Sequence, residues 1–256
     1  MILRGTRRLD SLFTKQCKPV TIDILNKLIG ALRRGIFNPY LDTLMQVGLT
    51  TEFWDFFRSD ELFPDKFSLR LHVTNADVKY DINCIIIHLK SSKTDIERKE
   101  ANIRLFRNES INCAVHALHC CTILCNSNYH DSPFFLLPNG QAFTRHAFIF
   151  NLRHVLLQLG YAASAYSGHS LRAGAATSAA AAGVPDHLIQ TLGRWNSLSY
   201  LRYIRVSDTI ILKDHNKILQ ISFLGILYLV CLLLYVYIFF LVGVKFSSCN
   251  KASCGV

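Results

Sequence analysis

The chain has 256 residues, half of them hydrophobic, and 28 Lys and Arg against 18 Asp and Glu give a formal net charge of +10. The apolar content supports a sizeable core, and the length excludes a small disulfide-stapled scaffold. The charge fits a polyanionic partner such as DNA, RNA or an acidic membrane surface.

The nine cysteines are scattered, and no apolar stretch follows the basic Met1–Arg8, so free thiols in a reducing compartment are expected. Residues 1–20 read as a basic segment left from a linker, and 21–206 as the main domain. In chain order, Val20–Phe37 reads as an amphipathic helix capped by Thr21, with an apolar stripe of Ile22, Ile24, Leu25, Leu28, Ile29 and Leu32. Asn38–Leu62 opens on Pro39 and reads as a largely buried helix ending near Ser59. Pro64 breaks that run. β-branched runs with Asn-Ala-Asp turn chemistry then predict a small antiparallel sheet over about Leu69–Leu105.

Helical spacing returns over Cys113–Asn126. A Pro138-Asn139-Gly140 turn leads into a helix capped by Gly160. An Ala-rich helix is expected from about His169 to Ala182, stopped by Gly183 and Pro185, then a short helix from Asp186 to about Leu192, ended by Gly193. Ser197 is placed to cap a last helix through Arg205. After a connector at 207–220, Ile221–Val244 is uncharged for 24 residues, long enough to span a bilayer, and a short tail, 245–256, follows. The fold class is mainly α with a small antiparallel β-sheet, plus a C-terminal hydrophobic helix.

The segment from Gly168 to Arg205 carries the most chemistry. His169 and Arg172, three apart, share a face at a helix start beside its free N–H groups, which suits a phosphate. An ordinary solvated first turn would look the same. The Ala-rich run lets that helix lie close to its neighbours, so it is expected in the core. Trp195, Tyr200 and Tyr203 follow among Arg194, Arg202 and Arg205. A tyrosine beside such cations can attack phosphorus, because they stabilise phenolate character and the charged transition state.

These residues resemble the tyrosine recombinase (phage-integrase) superfamily. The likeness rests on His169-Ser-Leu-Arg172, on Leu192-Gly193-Arg194-Trp195 and on Tyr203. The "GRW…RYIR" ending is similar to the eukaryotic transposon-borne branch of the DIRS or Crypton type. The resemblance extends upstream to Arg58 and Glu61 in "FFRSDEL", to Lys93 in "LKSSKTD" and to "CAVHAL" from Cys113, so it covers about Thr21 to Arg205.

The resemblance implies a site-specific DNA recombinase or integrase. Tyr203 would attack a scissile phosphate to form a 3′-phosphotyrosyl link, with Tyr200 as rival nucleophile. Arg58 and Arg172 would clamp the non-bridging oxygens. Lys93 would protonate the leaving 5′-oxygen, and His169 would assist proton transfer at the tyrosine. Trp195 would bond a phosphate oxygen or buttress the site. Glu61 and Arg194 would support these groups, and Arg202 and Arg205 would contact DNA. No metal or other cofactor is implied. The partners would be double-stranded DNA and further copies of the chain, a tetramer on two sites.

Some features depart from the pattern. The family carries an N-terminal core-binding domain, whereas the 57 residues before Arg58 match the start of the catalytic domain. Asp55 and Asp60 add negative charge beside Arg58. Cys113, His116, His119, Cys120 and Cys125 offer zinc-ligand types, but their helical spacing and apolar fillers favour buried thiols. The readings in competition are an active recombinase, a catalytically impaired DNA-binding remnant, and a membrane-tethered interaction protein. A nuclear location is expected if 221–244 is buried or is spurious flanking sequence, and otherwise a membrane anchor with the domain cytoplasmic.

Overall fold

The computed structural model describes residues 17–91, 100–125 and 130–202, without the side chains of 123–125 and Arg202. All belong to one unit that runs to Arg205. The expected sites at Lys93, Tyr203 and Arg205, and the apolar stretch 221–244, lie outside the described residues. Among the described residues no helix is long and apolar enough to cross a membrane.

Helix α1 (Ile22–Arg33) buries the predicted stripe of Leu25, Leu28, Ile29 and Leu32. Thr21 stands at its N-cap but makes no side-chain capping bond. The Ile22 N–H donates instead to Ser178 Oγ, 3.1 Å away, so a tertiary contact replaces the expected local cap. Helix α2 (Pro39–Trp54) has a true cap: Asn38 accepts from the Leu41 N–H at 2.9 Å.

The apolar run beyond Trp54 does not continue as helix to Ser59, as expected. The Phe57 N–H returns to Glu52 O at 3.1 Å, and Phe56 takes a left-handed φ of 52°. This is a Schellman termination with phenylalanine where glycine is usual. A single turn, α3 (Ser59–Leu62), follows.

Strands β1 (Val78–Tyr80), β2 (Cys84–Leu89) and β3 (Ala101–Phe106) form an antiparallel sheet in sequence order. Ile85 pairs with Leu105 and Ile87 with Ile103, all buried on one face, as period-2 patterning requires. The sheet begins nine residues later than expected, at Val78 rather than Leu69. The carbonyls of Leu69 and Leu71 accept from Lys90 Nζ (2.9 Å) and Ser91 Oγ (3.1 Å) rather than from a ladder, so that segment straps the end of β2.

Helices α4 (Ala114–Cys125), α5 (Arg145–Gln158), α6 (Ser170–Ala181) and α7 (Asp186–Leu192) complete the frame. Thr144 caps α5 by accepting from Ala147 N–H. The expected α-helix after Ser197 is, in its described part, a 3-10 segment over Leu198–Arg202.

Helix α2 packs against α1, α4, α5 and α6. Phe63 stacks on Phe148 with centroids 4.1 Å apart and meets Phe143 edge-on, filling the space between α3 and α5. The Ala-rich α6 lies in the core, as its composition predicts, with Leu171, Ala175 and Ala176 buried. Its closest approach is at Gly174, where a Cβ would fall 1.7 Å from Val20 O. The described residues are therefore mainly helical with one small antiparallel sheet.

Candidate active site

Two helix ends and two helix starts meet at one place. The ends are the C-termini of α2 and α7, and the starts are those of α3 and α6. Helix α7 terminates like α2: the Trp195 N–H returns to Gln190 O at 3.1 Å, with Arg194 left-handed at φ 54°. Phe56 and Arg194 are the two non-glycine residues with positive φ among the described residues. Backbone of this kind persists only where surrounding contacts determine it, and it clusters at functional sites.

Arg172 supplies those contacts. It is 3% exposed, and its two Nη groups donate to the carbonyls of Phe56 and Gly193, one in each turn. Its guanidinium lies 4.3 Å from the centre of the Trp195 ring, and that ring meets Phe56 edge-on at 5.9 Å. Arg194 adds a second tie, donating to Asp55 O at 3.1 Å and resting over the Phe57 ring. The expectation for Arg172 was an open fork on phosphate oxygens. Here that fork is spent largely on main-chain carbonyls, because two strained turns leave carbonyls that need a donor. Trp195 is 8% exposed, packed between the Arg172 guanidinium and the Phe56 ring.

Arg58 and Glu61 do come together as the sequence suggested. Glu61 is buried and accepts from Arg58 N–H (2.9 Å) and Arg58 Nη1 (3.0 Å), and from Arg194 Nη2 (3.0 Å). One carboxylate thus orients two guanidiniums. The Arg58 side chain keeps 15% of its surface open.

His169 stands at the N-cap of α6, exposed and making no side-chain capping bond. The protein around its ring displaces enough water to lower its pKa, and the charges of Arg145, Arg172 and Arg58 lower it further against the pull of Asp60. The imidazole is therefore biased toward its neutral, proton-accepting form. Tyr200 is buried and packs on Trp195 at 6.0 Å, so its ring serves the core.

Four residues at the site lie outside the catalytic and supporting set read from the sequence. Ser59 is buried and donates to Gly168 O at 2.7 Å, while its Oγ is 2.8 Å from Glu52 Oε1. One hydroxyl has one proton, so Glu52 must donate to Ser59 for both bonds to hold. Burial pushes the Glu52 carboxyl well above the usual range, which agrees. Asp55 lies beneath Arg194, and burial pushes its carboxyl up to about 7 despite that cation. The charge expected to weaken phosphate binding is thus partly quenched. The fourth is Arg145, whose guanidinium lies against Gly168: a Cβ there would meet Nη2 at 3.0 Å and Nε at 3.1 Å. Buried carboxyls show no sequence signal beyond an acid in an apolar run, as in "TEFWDFF".

Beside Arg58, a cavity of about 250 Å³ is lined by Asp60, Glu61, Lys66, His72 and Ser91 among others. Ser91 is the last described residue before the segment bearing Lys93. Lys90 is committed elsewhere, to Asp77 at 2.5 Å. Of the metal-ligand types on α4, Cys113 is buried and Cys120 Sγ is 3.7 Å from His116 Nε2. Among the described residues no group of three His, Cys, Asp or Glu is placed to hold a metal.

No family model and no curated protein matches this sequence. Solved structures do. The chain is similar to XerH site-specific recombinase bound to a palindromic difH substrate (TM-score 0.60, 14% identity, 77% of this chain and 51% of that one). It is similar to XerA recombinase (0.58, 18%, 79% and 65%) and to the Tn1549 transposon integrase in complex with circular intermediate DNA (0.52, 15%, 77% and 64%). The chain spans about half to two thirds of the length of these structures. At such identities the likeness is one of architecture, and the described residues have the fold of the tyrosine recombinases.

Proposed function

We propose that the chain is a DNA strand-breaking and rejoining recombinase acting through a 3′-phosphotyrosyl intermediate. One observation carries this reading. Arg58, His169, Arg172 and Trp195, from separate parts of the sequence, meet at one site in a fold shared with proteins solved on DNA substrates.

In this reading the Tyr203 phenol oxygen attacks a backbone phosphorus, and neutral His169 accepts the phenol proton. The bond to the 5′-oxygen breaks, and that oxygen leaves with a proton from Lys93. Arg58, held in aim by Glu61, meets the charge that builds on the non-bridging oxygens. Reversal by an incoming 5′-hydroxyl rejoins the strand. The phosphodiester energy stays in the tyrosyl ester, so no nucleotide cofactor is consumed. The "GRW…RYIR" ending supports a transposon-borne origin of the DIRS or Crypton type, and pairing of DNA sites would need a tetramer.

One observation favours a second reading, a DNA-binding remnant without turnover: the fork of Arg172 is occupied by carbonyls. The experiment that separates the two uses a pool of random-sequence duplexes nicked on one strand, which traps any covalent product. The enzyme reading predicts a detergent-stable protein–DNA adduct that Tyr203→Phe abolishes and Tyr200→Phe retains. Salt-sensitive binding with no adduct would leave only the remnant.

A further inference from the structure

Arg58 lies between two points held by one residue. On its N-terminal side the Phe57 N–H donates to Glu52 O at 3.1 Å, and on its C-terminal side Ser59 Oγ lies 2.8 Å from Glu52 Oε1. The same hydroxyl donates to Gly168 O at 2.7 Å, and Gly168 leads directly into His169 at the N-cap of α6. The contact needs glycine there, since a Cβ at Gly168 would fall 2.9 Å from Ser59 Oγ. Glu52 and Ser59 are both buried, so solvent does not readily replace a lost partner.

The proton count fixes the charge state. Ser59 has one hydroxyl proton, and the Gly168 carbonyl can only accept it. The contact with Glu52 is then a hydrogen bond only if the acid supplies the proton. The other carboxyl oxygen, Oε2, is buried without a hydrogen-bond partner. That costs little for the carbonyl oxygen of a neutral acid and much for half of a carboxylate. Burial pushes the Glu52 carboxyl up, and a Ser59 proton turned toward it would pull it down. Glu61 on α3 adds to the rise, Arg145 on α5 and Arg172 on α6 oppose it, and the net direction is upward.

Resting on the proposed recombinase reading, we infer that Glu52 and Ser59 are positioning residues for the phosphate site: the neutral acid holds the Ser59 hydroxyl, and that hydroxyl sets the segment bearing Arg58 against the segment bearing His169. Loss of the Glu52 proton turns the hydroxyl toward the carboxylate, and the Gly168 carbonyl loses its donor. Arg58 and His169 then keep their chemistry and lose their fixed spacing.

The test compares the wild-type full chain with Glu52→Gln, Glu52→Ala and Ser59→Ala. Glutamine carries an amide N–H that donates to Ser59 at any pH, whereas alanine donates nothing. A buried acid held neutral stabilises the fold most below the ordinary carboxyl pKa, and that stability is lost as pH rises toward the folded pKa. In urea unfolding, the ratio of folding constants between Glu52→Gln and wild type should therefore be constant below about pH 4 and rise about tenfold per pH unit above it. In NMR of the free protein, the His169 amide and ring signals should shift in Glu52→Ala and Ser59→Ala and stay near wild type in Glu52→Gln. On the nicked duplex pool, adduct formation should slow roughly a hundredfold in the two alanine variants and stay near the wild-type rate in Glu52→Gln.

A pH-independent ratio shows an ionised Glu52 and overturns the inference, as does a His169 shift as large in Glu52→Gln as in Glu52→Ala. Wild type that forms no adduct sinks the recombinase reading alone, and the unfolding and NMR comparisons still decide the positioning role. Should the alanine variants fail to fold, the Gly168 carbonyl carbon decides: its signal should move as wild type is taken to alkaline pH and stay still in Glu52→Gln. A signal that behaves alike in those two proteins overturns the positioning role.

Discussion

Asp55 shows how burial and charge are balanced at this site. Its carboxyl is pushed up to about 7, has one oxygen without a hydrogen-bond partner, and lies near Arg194. The folded pKa exceeds the unfolded one, so the folded state binds the extra proton. Folding stability from this residue is therefore greatest in acid, declines as pH rises from about 4 to about 7, and stays low above that. Asp55→Asn, a neutral near-isostere, is expected to melt higher than wild type at about pH 8 and close to it at about pH 5. Parallel melting curves at both values would show that Asp55 is not a strained acid. Residues differ in how readily the sequence gives them away. His169, Arg172, Arg58 and Glu61 were legible because their types recur at characteristic spacings. The burial of Arg172 was not, since nothing in "HSLRAG" reveals that two carbonyls await it. Arg145 was missed because an arginine in the first turn of a helix looks like any solvated cation.

Helix termini explain which elements were legible and which were not. The helices that end at Gly160 and Gly183 close in the same way as those at Phe56 and Arg194, with a left-handed residue and a backbone bond across the last turn. Glycine advertises that conformation, and phenylalanine or arginine hides it. Sequence reading therefore stopped α5 and α6 correctly but ran α2 on through the break that creates the site. At the start of α1, Thr21 stands at the N-cap as read, but its side chain makes no capping bond, and Ser178 of the docked α6 accepts from the Ile22 N–H instead. The core position of the Ala-rich α6 was legible from composition, and Gly174 marks its closest contact. Gly174→Ala would force a methyl group to within 1.7 Å of Val20 O, so the backbone must move. A loss of about 1–3 kcal/mol or more is expected in urea unfolding, against a neutral or stabilising effect if the helix had free space. An unchanged midpoint would show that the segment before α1 is not seated on α6.

For the molecule as a whole, the recombinase fold was legible from motifs spread between Arg58 and Trp195, although no curated protein matches the sequence. At 14–18% identity the architecture is shared while most side chains differ. On the proposed reading, the excess of cations, +10 over the chain, would give the long-range attraction to DNA, and the paired turns the local geometry. The most direct measurement is a structure of the chain bound to a nicked duplex. The account predicts one backbone phosphate with oxygens about 2.7–2.9 Å from Arg58 nitrogens, His169 beside it and the Tyr203 oxygen aligned opposite the 5′-oxygen. Duplex bound on another surface, with Arg58 and His169 still facing solvent, would contradict it.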